Sequence, residues 1–419
     1  MNPAQRVRIE DLRDPVLSDL QKAALAYAEA HPVDLAPNAV LQAAAASTGL
    51  EDFGPADFHE RLALMLSETD EDPERTALGR MSLFHDAVRW ASNRLRIRDL
   101  LERHPEIHDL EIHRPIIVVG LPRSGTTHLV NLIAADQRLR SLPLWESQCP
   151  VPGPDDVPGE GGVDPRWARS EASWQAFRAS TPFIASMHPM NPDHIHEELE
   201  LQLPDFSSYH HEWITRCPKW RDYLLCHDQR PHYQYMKTVL KILQWYEPRS
   251  RWVLKCPQHL EQLGPLLETF PDATIVVTHR DPVSVIQSAA TMLAYGARMT
   301  YTSPRPGWYL EYWSDRIRRL LEASLRDRHL LPSDRTLDVL FHEFMADDVA
   351  MVERIYEVAG LPMTNEARAQ IDTHMADHPR GKEGQVAYDL REDFDADPRD
   401  VRAPFDFYLN AFDVRLEVR

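Results

Sequence analysis

Residues 114–133 read RPIIVVGLPRSGTTHLVNLI, and no other stretch restricts the architecture as strongly. The β-branched run at 116–119 suits a short, fully buried strand. Gly120 and Gly125 follow at a Gly-x-x-x-x-Gly spacing, and an apolar helical pattern begins directly after them. A strand–loop–helix of this kind aims successive backbone amides and a helix N-terminus at one point, which suits an anion. In an NTP-binding loop the second glycine precedes a lysine and then Ser or Thr. Here Thr126 and Thr127 occupy those places, the basic side chain sits early, at Arg123, and Ser124 adds a third hydroxyl.

Further apolar runs at 252–254 and 273–278, and a β-like run at 335–341, each precede a helical pattern, with helices expected near Gln258 and Pro282 and over MADDVAMVERIYEVAG. Strands alternating with helices predict an α/β fold, a parallel sheet covered by helices on both faces, with ligands at the carboxyl ends of its strands. Residues 1–112 read as a helical N-terminal cap region: DPVLSDLQKAALAYAEA carries Val16, Leu17, Leu20, Ala24 and Tyr27 at helical spacing after an Asp14 cap. Residues 113–419 would form the ligand-binding domain, with a helical insertion over 148–250. That insertion holds Trp167, Trp174, Trp213, Trp220 and Trp245, which read as the wall of an acceptor pocket or as ordinary core. The acidic tail, DLREDFDADPRDVRAPFDFYL, is expected to lie over the surface.

The chain has 419 residues and 46 basic against 65 acidic side chains, a net charge of −19. This balance disfavours nucleic acid as a partner. The four cysteines form no Cys-x-x-Cys pair, so neither zinc nor a disulfide framework is expected. No stretch reaches the ~18 apolar residues of a membrane span, and the polar N-terminus has no apolar signal core. The expectation is a cytoplasmic protein, with a homodimer admitted through the N-terminal helices but not required.

A second constellation is TIVVTHRDPVSVIQSAATM, where Arg280 leaves a strand and Ser288 lies two turns into the next helix. Taken together, these segments resemble the sulfotransferases that use 3′-phosphoadenosine 5′-phosphosulfate (PAPS). There a PKSGTT or PRSGTT loop, matched by 122–127, holds the 5′-phosphosulfate, and an arginine and a serine eight residues apart hold the 3′-phosphate. DFG at 52–54, LWE at 144–146, LKCPQHL at 254–260 and FPDATIVVTHRDP at 270–282 extend the likeness to the bacterial-type branch. The resemblance implies PAPS as co-substrate without a metal, and Arg123, Ser124, Gly125, Thr126, Thr127, Arg280 and Ser288 as its ligands. It further implies a closing loop through Arg380, Gly381 and Lys382, echoed in HMADHPRGKEGQVAYDL.

Sulfuryl transfer to an alcohol needs a base on the acceptor hydroxyl and donors on the departing bridge oxygen. The resemblance gives Arg123 and Lys255 the second task. For the base it offers Glu146, beyond the loop helix, with His259 as the rival. HPMNPDHIHEELELQ clusters His188, His194, His196, Glu197 and Glu198, but its spacing fits no zinc pattern and it reads as a pocket wall or polar helix start. The acceptor is expected to be a small-molecule, lipid or glycolipid hydroxyl. A P-loop phosphotransferase is the nearest alternative, disfavoured by Thr126 where lysine should stand; a nucleotide-binding scaffold without activity is the other.

Overall fold

The computed structural model describes residues 6–158, 162–249, 251–379, 382 and 384–419. Its strands are β1 (Arg6–Val7), β2 (Ile116–Gly120), β3 (Leu139–Arg140), β4 (Arg251–Lys255), β5 (Thr274–His279), β6 (Thr336–Leu340) and β7 (Gln385–Val386). Five of them form one parallel sheet in the order β3–β4–β2–β5–β6, and β1 pairs with β7 separately. Every residue of β2, β4 and β5 is buried, as expected for central strands covered on both faces.

Alternation along the strands divides their side chains between two cores. Ile117, Val119, Leu254, Ile275 and Val277 face one layer, containing helices Arg230–Tyr246, Pro282–Thr300 and Pro306–Asp327. Ile116, Val118, Val253, Val276 and Val339 face the other, against helices Thr126–Ala134 and Asp348–Ala359. Each of these side chains contributes ~1.5–3 kcal/mol on burial, and a one-residue slip would exchange the two faces. In register, Val118 lies opposite Lys255 and Gly120 opposite Thr278. The loops after β2, β4 and β5 therefore leave the sheet side by side at its carboxyl edge.

The N-terminal helices share a third core with the insertion, in which Leu62, Leu66, Trp90 and Leu95 meet Phe206 and Trp220. Arg316 crosses from helix Pro306–Asp327 to the insertion. Completely buried, it donates to Glu212 at 2.8 and 3.1 Å and to Glu261 at 2.8 and 2.6 Å.

Three expectations are corrected. Helix Asp19–Ala30 is capped by Ser18 in a reciprocal box with Gln21, not by Asp14, and Val16, Leu20 and Tyr27 are exposed while Gln21 and Ala28 are buried. After β4 the chain makes a 3₁₀ turn, Pro257–Glu261, and its helix starts only at Leu263. The acidic tail is anchored: Leu390, Phe394, Phe405 and Tyr408 enter the main core, and Tyr408 bonds His279 at 3.0 Å.

Candidate active site

The loop after β2 is built on close approach. A Cβ on Gly120 would lie 1.9 Å from Thr278 Oγ1, and one on Gly125, whose φ is +85°, would lie 2.9 Å from the Phe341 ring. Arg123 also sits in the left-handed region, at φ +63°, a conformation costing a non-glycine residue ~1–2 kcal/mol. Its guanidinium is fixed by Ser288 Oγ at 3.0 Å and by the carbonyl of Met187. Ser124 turns its hydroxyl inward, donating to Leu121 O at 2.6 Å and meeting Thr278 Oγ1 at 2.8 Å. Its side chain shapes the loop, and what it offers a ligand is its backbone.

Two cavities meet at Arg123, Thr126, Thr127 and His188. One, of about 620 Å³, extends along the loop past Gly125 to Arg280 and is bordered by His374 and His378. Those two histidines belong to the stretch singled out for the closing loop. Lys382 is exposed and bonds the carbonyl of Asp377 at 3.3 Å; Arg380 and Gly381 lie outside the described residues. The other cavity, of about 550 Å³, is mainly apolar, walled by Leu83, Leu199, Trp213, Met292 and Leu293, with Glu197 at its junction end. Of the five insertion tryptophans, only Trp213 lines it; Trp174 and Trp220 are core.

Lys255 reaches this junction from the end of β4. Its buried ammonium pairs with Glu197 and lies 3.5 Å from Thr127 Oγ1. The neighbouring Glu198 accepts the Lys255 amide at 2.8 Å and bonds His259 Nε2 at 2.7 Å. His259 Nδ1 meets Tyr233 Oη at 2.7 Å, so both ring nitrogens are engaged in the interior and the residue borders neither cavity. Glu146 also borders neither. It is paired with Arg140 of the edge strand, and burial pushes its carboxyl above the usual range against the pull of that arginine. Neither proposed base is brought to the loop; Glu197 is. Its signal in the sequence was the His/Glu cluster itself, since the pairing with Lys255 spans 58 positions.

His188, His194 and His196 gather at the same junction, with ring centroids 5.4–6.3 Å apart. Burial first, then His196, Arg123 and Lys255, pushes His188 down to about 3, and burial keeps His194 well below its ordinary value. Among the described residues no group of three or more His, Cys, Asp or Glu is placed to hold a metal ion. Arg280 and Ser288 flank the loop. Ser288 also bonds Tyr388 Oη at 3.0 Å. Arg280 donates to the Arg123 carbonyl, stacks 4.0 Å over Phe341, and is held by both carboxylate oxygens of Glu417 at 2.7 Å.

A model of the sulfotransferase family matches residues 115–365, a span that includes the loop, Lys255, Arg280 and Ser288. The chain belongs to the sulfotransferase family. It is 22% identical, over 63% of its length and 67% of theirs, to the omega-hydroxy-beta-dihydromenaquinone-9 sulfotransferases Stf3 of Mycobacterium bovis and Mycobacterium tuberculosis. The structure of sulfotransferase STF9 from Mycobacterium avium superposes with a TM-score of 0.81 at 28% identity, covering 91% of this chain and 98% of that one. Sulfotransferase STF1 from Mycobacterium tuberculosis gives 0.77 at 27%, covering 88% and 98%. The α/β architecture read from the sequence is that of these enzymes. Among the described residues no helix is long and apolar enough to cross a membrane.

Proposed function

We propose that this sulfotransferase moves the sulfuryl group of PAPS to the hydroxyl of an apolar alcohol. The observation that carries this reading is the meeting of a cavity bordered by Arg123 and Arg280 with a more apolar one at Arg123, Thr126 and Thr127. In this reading the phosphosulfate lies on the amides of the loop, and the 3′-phosphate lies toward Arg280 and Ser288. The acceptor oxygen attacks sulfur as the bond from sulfur to the bridging oxygen breaks. Lys255 and Arg123 stabilise the charge that gathers on that oxygen, and Glu197 takes the acceptor proton. Lys255 and Glu197 form an ion pair; in this reading an ammonium that turns to the phosphosulfate releases the carboxylate to the hydroxyl beside it.

A phosphosulfate carries less charge than a triphosphate, so an arginine and hydroxyls can serve where an NTP site uses lysine and magnesium. The donor product, 3′-phosphoadenosine 5′-phosphate (PAP), should therefore bind in EDTA, and ATP should bind poorly. Calorimetry showing ATP preferred, or PAP binding lost to the chelator, would refute the assignment. An apolar acceptor agrees with the lining of the second cavity and with the hydroxylated menaquinone named for Stf3.

A further inference from the structure

The apolar cavity has a second polar end, where Asp86 and Glu212 also line it and where one arginine forms no ion pair with either. Arg75 lines the cavity and is 6% exposed. It donates to the carbonyls of Ile214 at 3.2 Å and Gly79 at 3.1 Å, and lies 4.8 Å from the Tyr301 ring centroid. Its Nε has no partner, and no acidic side chain among the described residues forms an ion pair with it. The nearby acids are committed elsewhere: Glu74 to Arg216 at 3.0 Å and to Arg305, Glu212 to Arg316, and Asp86 to Arg89 at 3.1 Å. A guanidinium cannot shed its proton to escape burial, and a buried charge without a counter-ion carries a standing cost. An anion on the ligand would offset it.

The distance to the transfer end follows from one helix. Arg123 bonds Ser288 in the first half of Pro282–Thr300, whereas Arg75 forms a backbone bridge with Tyr301, just past its end. Twelve to thirteen residues at 1.5 Å each separate the two by ~18–20 Å. Met292, Gly296, Ala297 and Thr300 line the cavity between them at the three- and four-residue spacing of one helix face. Gly296, with nothing within 4 Å of a Cβ built on it, leaves room midway.

We infer that the acceptor is an elongated apolar alcohol bearing a carboxylate at the end remote from its hydroxyl, and that Arg75 receives the carboxylate. This rests on the reading of the second cavity as the acceptor site. The test is calorimetric titration, with and without PAP, of an ω-hydroxy fatty acid, its methyl ester and the primary alcohol of equal length. Wild type should bind the acid at least tenfold more tightly than either neutral analogue, with an optimum in chain length. Arg75→Gln should erase the preference and Arg75→Lys should keep part of it. A merely structural Arg75 would leave the ratio unmoved. Equal binding of acid and ester by wild type, or a preference that survives Arg75→Gln, overturns the inference. Should Arg75→Gln not fold, the wild-type ratio and Arg75→Lys decide it. PAP binding is read separately, so failure of the donor assignment stays distinct from failure of this one.

Discussion

The guanidinium of Arg280, assigned above to the 3′-phosphate, already holds an anion. Glu417 takes its Nε and one terminal nitrogen, both at 2.7 Å, and the Arg123 carbonyl takes the other. A phosphate cannot use the same edge until the carboxylate leaves. The two side chains are 21% and 29% exposed, and a partly exposed pair is worth ~0.2–1 kcal/mol, with bidentate geometry at the upper end. A competitor of that strength weakens phosphate binding up to about fivefold, so Glu417→Gln should tighten PAP by about two- to fivefold. The tail should stay docked, because the amides of Glu417 and Val418 remain on Asp281 at 2.8 and 3.2 Å. Arg280→Ala, losing a charge-assisted bond of ~1.5–3 kcal/mol, should weaken PAP at least about tenfold. In that background Glu417→Gln should do nothing, which makes the two a thermodynamic cycle. The assay is calorimetry with PAP in EDTA at fixed ionic strength. Glu417→Gln that binds PAP no better than wild type refutes the competition, and one that binds it worse makes Glu417 part of the site.

Three further outcomes follow from the geometry. Glu197→Gln should lower kcat by about 10²–10⁴, the loss of a general base, with PAP affinity within a few-fold; Glu146→Gln should lower Tm and leave kcat of the folded enzyme within a few-fold, and steady-state kinetics of both variants checks this. His188 is held at about 3 and His194 well below its ordinary value, so as pH falls below the unfolded value of about 6.5 the unfolded chain takes up protons first. The stabilisation from His188 is present above that pH and is lost on acidification toward 3, by up to ~1.4 kcal/mol per pH unit, and His194 acts in the same direction; His188→Leu should flatten the fall of Tm between pH 7 and 4, and an unchanged slope would contradict the assignment. Arg316→Met leaves Glu212 and Glu261 buried without their cation and should cost ~3–5 kcal/mol, seen as a lower urea midpoint with an unchanged slope.

The sheet was legible because its strands carry their information locally. The runs at 116–119, 252–254 and 273–278 fall on β2, β4 and β5, since buried parallel strands are near-continuous apolar stretches; the run at 335–341 falls on β6, which is mostly half-buried and carries Asp338 at its centre. The edge strand Leu139–Arg140 is only two residues long and has no such signature. Arg123, Thr126, Thr127, Arg280 and Ser288 converge as their positions after strands implied. Glu146 does not, because Arg140, six positions earlier, captures its carboxylate. Helical spacing also misled at Val16, Leu20 and Tyr27, which lie on the exposed side of their helix. The pairings of Lys255 with Glu197 and of Arg280 with Glu417, across 58 and 137 positions, depend on how the insertion and tail fold back, and no local pattern encodes that.

In the proposed reaction the junction of the two cavities transfers sulfuryl groups without a metal and with Glu197 as base. Its most direct test is transfer of ³⁵S from labelled PAPS to a long-chain primary alcohol in EDTA, comparing wild type with Glu197→Gln at saturating donor. Labelled alkyl sulfate and equimolar PAP from wild type, with turnover at least about a hundredfold slower in the variant, are the predicted results. No transfer by wild type in EDTA that magnesium restores, or full turnover by Glu197→Gln, would contradict the account.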